Sequence, residues 1–287
     1  MLEDLINTFQ NFKQNKVRTF LSLLGIIIGV ASVILVTTLG QSATANVKKS
    51  FGTSGLDIIQ VSSGFMNRRS SSKSVQFTES FRQDLWDNIE NLKTIQYTNS
   101  LSSTLVYGDL SVTASATAIE HNYLQLYNFE MEQGDFFTVS DNVQGSQKVI
   151  LGKEIAEALF PEGDPVGKII TLINSDIRFG FEVVGVLKEV SSGIETTSSA
   201  VYIPRGFYIK KIAPNPNASK IVCQVTDQKY SVATVTQIKE YFEELTGLEN
   251  SVMVMSMASF IEQYDEIMGT LTLLLSGVRS EEHTSEL

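Results

Sequence analysis

Phe20–Leu39, FLSLLGIIIGVASVILVTTL, is a run of 20 residues without a charged side chain, and its reading decides the architecture. At 1.5 Å rise per residue, a helix of that length spans about 30 Å, the thickness of the hydrocarbon core of a bilayer. Thirteen of its residues are Leu, Ile, Val or Phe. At about −0.3 to −0.6 kcal/mol each, they favour insertion by on the order of 4 to 8 kcal/mol, an upper bound because those values hold at the bilayer centre. Ser22, Ser32, Thr37 and Thr38 can return their hydroxyls to the preceding helical turn, so they do not overturn the sum. The stretch reads as a transmembrane helix.

A cleaved signal peptide is the rival, with Lys13, Lys16 and Arg18 as its basic head and Ala43-Thr44-Ala45 as a small-residue cleavage site. Signal peptides carry an apolar segment of about 7–15 residues, shorter than this one. The same three basic residues precede the span closely, whereas the next, Lys48 and Lys49, begin nine residues beyond it. The positive-inside rule then places the N-terminus in the cytoplasm and everything after about Gln41 outside. Residues 1–19 read as a cytoplasmic amphipathic helix: Leu2, Leu5, Ile6, Phe9 and Phe12 lie near one face, with Glu3, Asp4, Asn7 and Gln10 elsewhere. Lys13, Lys16 and Arg18 fix orientation against lipid headgroups. Within the span, Gly25, Gly29 and Ser32 form a small-residue stripe that lets another helix approach closely, although glycine is common in membrane helices in any case.

Ile267–Val278, IMGTLTLLLSGV, is a second uncharged apolar stretch, too short to span by itself. It reads as the start of a second transmembrane helix. Arg279–Leu287, RSEEHTSEL, matches what a sequencing adapter yields when translated in frame, and it is set aside from fold reasoning. The expectation is a chain cut short inside that second helix.

Between these segments, residues 40–266 read as one extracytoplasmic region. The whole chain has 287 residues and a net charge of −10; three basic and two acidic residues precede the region and one basic and three acidic follow, leaving it about −9. Such acidity argues against nucleic acid, whose binders neutralise phosphates. Cys223 is the single cysteine, so no intrachain disulfide can form and the region must rest on its core. Strand-like and helix-like stretches interleave without a fixed repeat. Strands are expected at 56–61, 149–151, 169–173, 181–187, 200–204, 220–225 and 251–257, with a hairpin about Gly108-Asp109. Amphipathic helices are expected after Thr78, on Phe81, Leu85, Trp86 and Ile89, and at 232–245, on Val235, Ile238, Phe242 and Leu245. Shorter helices are expected at 121–129 and 154–160, and Ser62–Ser74 reads as a polar loop. The class is α+β in two lobes, anchored by transmembrane α-helices.

Chemistry is hard to build from these residues. His121 is the only histidine outside the C-terminal nonapeptide, which leaves no two-histidine zinc motif. Cys223 lies in an apolar strand-like run, where a buried thiol is inert. Gly163-Asp-Pro-Val-Gly167-Lys168-Ile169 is one residue short of a phosphate-binding loop and has Ile where a magnesium-binding hydroxyl belongs. Pro165 also removes one of the backbone N–H groups such a loop would use. The segment reads as a turn into a strand. No catalytic residue, cofactor site or metal site is assigned.

Asn15-Lys16-x-Arg18 leading into Leu24-Gly25-Ile26-x-Ile28-Gly29 resembles the start of MacB/FtsX-like ABC transporter permeases. Val149-x-Leu151-Gly152, Ala156-x-x-Leu159-Phe160, Pro165-Val166-Gly167-Lys168 and Phe181-x-Val183-Val184-Gly185-Val186 resemble, in order and spacing, that family's extracytoplasmic core. The resemblance implies a porter-like lobe with a smaller β-rich lobe inserted at roughly residues 130–200. It implies a cell-membrane permease subunit that works as a dimer. A partner cytoplasmic ATPase would bind ATP and magnesium, and a periplasmic adaptor or membrane-fusion protein could join. The amphipathic N-terminal helix then lies beside the ATPase or serves as a plain lipid anchor. Regulation of a cell-wall hydrolase on the same scaffold, and a single-helix tethered binding protein, are the alternatives.

Overall fold

The computed structural model describes residues 16–51, 55–63, 75–192 and 195–284. The amphipathic helix expected at the N-terminus falls largely outside them, with Lys13, as does most of the polar loop at 62–74. By internal packing the chain divides into two units: Met1–Asn46 with Ile261–Leu287, and Val47–Phe260.

In chain order the elements are α1 (Lys16–Phe51), β1 (Ile58–Ser63), α2 (Glu79–Asn88), β2 (Leu92–Tyr107), β3 (Leu110–Ile119), α3 (Tyr123–Leu126) and β4 (Met131–Gly134). There follow α4 (Val139–Gln144), β5 (Lys148–Leu151), α5 (Lys153–Leu159), β6 (Ile169–Asn174), β7 (Ile177–Leu187), β8 (Ser191–Ser192), β9 (Glu195–Thr196) and β10 (Val201–Pro204). Last come α6 (Arg205–Lys211), β11 (Lys220–Val225), α7 (Ser231–Thr246), β12 (Val252–Ser256) and α8 (Met257–Thr284).

The first lobe is an antiparallel sheet in the order β12-β1-β11-β2. Because side chains alternate across a strand, Ile59, Val61, Ile95, Ile221, Cys223 and Val225 share one face. They are buried in one cluster with Phe81 and Leu85 of α2 and Val235, Ile238 and Phe242 of α7. Period 3.6 picks those helical residues out correctly. Two others depart from it: Trp86 is 46% exposed and Leu245, on the last turn of α7, 54%. Thr78 occupies the N-cap position of α2 without capping it; its hydroxyl meets Ser80 Oγ at 2.9 Å instead.

β2 runs on for 16 residues and enters a second sheet. There β2 pairs β3 antiparallel, β3 pairs β10 parallel, β10 pairs β5 antiparallel and β5 pairs β7 parallel. β7 pairs β6 and β6 returns to β2 at Thr104–Val106, which closes a ring of six strands. Its inward side chains, among them Leu105, Ala116, Leu151, Leu172, Phe181 and Ile203, form one buried cluster with Ile155 and Leu159 of α5 and Phe207 of α6. The cluster draws on residues 101–118 as well as 149–207, since β2 and β3 continue out of the first lobe. The sequence-based boundary of roughly 130–200 leaves that hairpin out.

A third cluster lies on the opposite face of the first sheet. Ile58 and Val222 of that sheet pack with Ile119, Tyr123, Leu124, Phe129, Ile150, Leu187 and Tyr202. The two lobes therefore meet through buried apolar surface. Cys223 is 1% exposed, and burial pushes its thiol up to about 12.

Candidate functional site

Two features stand out from the scaffold: the apolar helix α1 and a charged cleft in the unit Val47–Phe260. α1 has 36 residues and is about 54 Å long at 1.5 Å per residue. Its segment Thr19–Gly40 is long and apolar enough to cross a membrane, and its most apolar stretch is not buried within the protein. Ser32 Oγ donates to Ile28 O at 2.8 Å and Thr37 Oγ1 to Val33 O at 2.9 Å, which satisfies these hydroxyls within the helix. Lys16 starts α1 and Arg18 follows in its first turn.

The two glycines of the stripe have open surroundings: a Cβ on Gly25 or Gly29 would meet nothing within 4 Å. Gly40 differs. It is buried, and a Cβ there would fall 2.9 Å from Met268 Cε. Gly40 is the glycine through which α1 comes close to α8, and the spacing of the stripe gave no hint of it. α8 is one helix from Met257, ten residues before the expected start at Ile267.

The cleft has a volume of about 370 Å³ and is lined by Glu79 and Arg82 of α2, Glu120 after β3, Val143 of α4, and Arg205 and Lys210 of α6. Arg205 Nη1 donates to Glu79 Oε1 at 2.5 Å and its Nε to Asn99 Oδ1 at 3.0 Å. Arg82 Nη2 donates to Glu120 Oε1 at 2.5 Å, and Arg82 Nη1 to the Ile95 carbonyl at 2.8 Å. The Tyr97 ring lies beside both guanidinium carbons, at 4.4 Å from Arg82 and 5.3 Å from Arg205. Both fall within cation–π range. Burial opposes the charge of Glu79, but Arg205 and Arg82 outweigh it and hold the carboxyl below its usual value. Burial likewise opposes the charge of Arg82, and Glu120 and Glu79 overcome it, raising the guanidinium further.

Tyr97 Oη and Arg205 Nη2 are buried without a hydrogen-bond partner. Ring contact with Tyr97 is the compensation open to Arg205. Gly206 lets α6 begin here: a Cβ would sit 1.6 Å from the Asn142 carbonyl oxygen, and its N–H donates to Asn142 Oδ1 at 2.9 Å. Arg205 and Glu79 are 126 residues apart, so no local spacing announces the pair. An arginine directly after the apolar run Val201–Pro204 was the one available signal. Both carboxylates are engaged by guanidinium groups, and among the described residues the cleft shows no nucleophile paired with a base.

A second polar cluster lies on the other face of the sheet. Glu195 Oε1 accepts from Lys220 Nζ at 2.7 Å, Gln60 Nε2 at 3.1 Å and the Tyr123 hydroxyl at 3.3 Å. Gln60 Nε2 also donates to Tyr127 Oη at 2.7 Å. In the segment Gly163–Ile169, Gly167 N–H donates to Val183 O at 2.8 Å and Val166 N–H to Asp164 Oδ1 at 3.0 Å before β6 begins. One amide is committed to β7 and the other to a local turn, and neither to an anion.

The sequence matches the family described as MacB-like periplasmic core domain over residues 19–241, most of the chain. The chain belongs to that family. A MacB-like core domain is thus what β1 to β11 build. Among similar curated proteins, the macrolide export ATP-binding/permease protein MacB of Wolinella succinogenes is 27% identical over 97% of this chain and 43% of its own length. The pyoverdine export ATP-binding/permease protein PvdT of Pseudomonas fluorescens is 26% identical over 92% and 40%. The uncharacterized ABC transporter permease YknZ of Bacillus subtilis is 24% identical over 97% and 70%. The chain spans about two fifths of the length of the two ATP-binding/permease relatives.

The fold of this MacB-like domain is shared with solved structures. The periplasmic region of MacB from Actinobacillus actinomycetemcomitans aligns with a TM-score of 0.59 at 22% identity, covering 77% of this chain and 98% of that one. The extracellular domain of YknZ aligns at 0.53 and 21% identity, covering 69% and 100%. Both have mixed α and β content.

Proposed function

We propose that the chain is part of an ABC transporter permease and carries its extracytoplasmic core domain on membrane helices. In this reading α1 crosses the cell membrane with its N-terminus in the cytoplasm, held by Lys13, Lys16 and Arg18. A partner cytoplasmic ATPase binds and hydrolyses ATP with magnesium. Its motion shifts α1 and α8, and the core domain moves to export or extract a substrate, as the names of MacB and PvdT describe for macrolides and pyoverdine. Two permease copies meet along Gly25, Gly29 and Ser32 of α1, where both glycines stand open. A periplasmic adaptor joins the outer end.

One observation carries the reading: a family match over 19–241 begins inside the helix that is apolar enough to span a bilayer. That helix continues unbroken to Phe51, beyond the apolar segment, so displacement of the span is delivered past the membrane surface. The test is co-purification of the full-length permease with a nucleotide-binding ATPase, together with protease added to intact cells. Digestion of the core domain and recovery of the ATPase are expected; a protected core domain or a permease without an ATPase would overturn the proposal. For the copy-to-copy contact, Gly25→Leu or Gly29→Leu should lower dimer recovery in detergent while leaving the core domain folded, and unchanged recovery for both would reject it.

A further inference from the structure

We propose that the two lobes of the core domain move as one rigid body, locked by polar clasps on opposite faces of the sheet they share. Tyr97, Ile95 and Cys223 face α2 and α7, and on that side Glu79 and Arg82 of the first lobe are tied to Arg205 and Glu120 at the ends of second-lobe strands. Gln60 and Lys220 fall on the alternate positions of β1 and β11, beside Ile58 and Val222, and therefore face the other way. There they hold Glu195, between β7 and β10 of the second lobe. Bending β2 toward either face pulls one clasp open.

Three features make this joint a lock and not a hinge. The strand that crosses it is continuous, with Thr98 and Asn99 both buried at the crossing. Asn99 is tied on both sides, accepting from Arg205 Nε at 3.0 Å and donating to the Asn217 carbonyl at 2.9 Å. Behind it lies the third apolar cluster, so opening the lobes would expose Ile58, Val222, Ile150 and Tyr202 to water. Domain pairs are mobile by default unless apolar surface holds them together, and here the third cluster is drawn from both lobes. Arg205 is 4% exposed at its side chain, and parting it from Glu79 would strand a buried charge. Arg205 and Glu195 are thus positioning residues: they set where the six-strand ring points when the first lobe is moved. The inference deepens the transport reading and rests on it only for what moves the body.

The experiment is a pair of spin labels on the full-length chain with its ATPase, at Glu240→Cys on α7 and Glu162→Cys after α5, both exposed sites. Cys223, being buried, stays unlabelled. A single narrow interlobe distance, the same with and without nucleotide, is expected. Arg205→Gln and Glu195→Gln should each keep it narrow, because the opposite clasp remains. The double variant, carried with Glu120→Gln so that the Arg82 tie on the first face is also released, should broaden it at least about twofold while its far-ultraviolet signal stays native. Two distances in the wild type, or a double variant as narrow as wild type, would overturn the proposal; a single variant as broad as the double would overturn its two-sided form. Should the double variant fail to fold, Glu79→Gln with Lys220→Gln, both more exposed, replaces it. The measurement without nucleotide stands even if no ATPase binds, which separates failure of this proposal from failure of the transport reading.

Discussion

α1 and the first lobe use the same side chains to opposite ends. Leu23, Ile27, Ile28 and Leu35 on α1 are 55–61% exposed, whereas Ile58, Ile59, Val61 and Ile95 on β1 and β2 are at most 5% exposed. In the lobe these strand residues have counterparts supplied by α2, α7 or the second lobe, so its core completes itself. The helix has no such counterpart and is complete only with hydrocarbon or other helices around it. Stability of the lobes and retention in the membrane should therefore be separable, and variants can be chosen to move one and not the other.

The largest effect belongs to the lobes. Phe242 is fully buried and its ring lies 5.4 Å from Phe81 and 6.0 Å from Phe77. Phe242→Ala should cost about 3–5 kcal/mol in denaturant unfolding of the core domain, with the membrane-bound fraction unchanged. The converse variant is Ile27→Asp, which should weaken insertion of α1 by about 3–4 kcal/mol. It should lower membrane retention while the core domain keeps its melting temperature; a shift in both would show that the two regions are not independent.

Smaller effects sharpen the contrast inside the lobes. Asp141 caps α4 with Thr138 and bonds Lys148 at 2.7 Å. Burial disfavours its charge, but the bonds from Lys148 and Thr138 prevail and hold the carboxyl down at about 2. A carboxylate depressed in the folded state stabilises fully above its unfolded value of about 4 and ceases to do so as pH falls through the folded value. The core domain should thus lose on the order of 2 kcal/mol between about pH 4 and pH 2, and Asp141→Asn should flatten that loss in an acid melting series. Thr138→Ala, which removes the hydroxyl that accepts from Asp141 N–H at 3.1 Å, should cost about 1 kcal/mol. Neither change should alter retention of α1.

Much of the fold could be read from periodicity. Val235, Ile238 and Phe242 mark the buried face of α7, and Gly108-Asp109 the turn between β2 and β3. Closure of the second sheet could not, because it depends on β6 meeting β2 at Ile173 and Thr104, and on two parallel pairings between strands distant in the chain. Nor could the joint: Gln60 and Glu195 are 135 residues apart, and nothing near either indicates a partner. Apolar α1 was legible by composition, yet Gly40 was not, since its partner Met268 belongs to a helix that begins over two hundred residues later.

The place of β1 in its sheet has a consequence for biogenesis. Among the described strands it is the first synthesised, and its two neighbours, β11 and β12, are the last, with Ile59 opposite both Cys223 and Ser256. A nascent chain therefore carries an unpaired, apolar β1 until almost the whole domain has left the ribosome. The six-strand ring can close earlier, once Pro204 is made, and would offer β2 as a ready template. Assembly then runs inward from the middle of the polypeptide, and interruption before Ser256 leaves a finished ring attached to an open, aggregation-prone sheet.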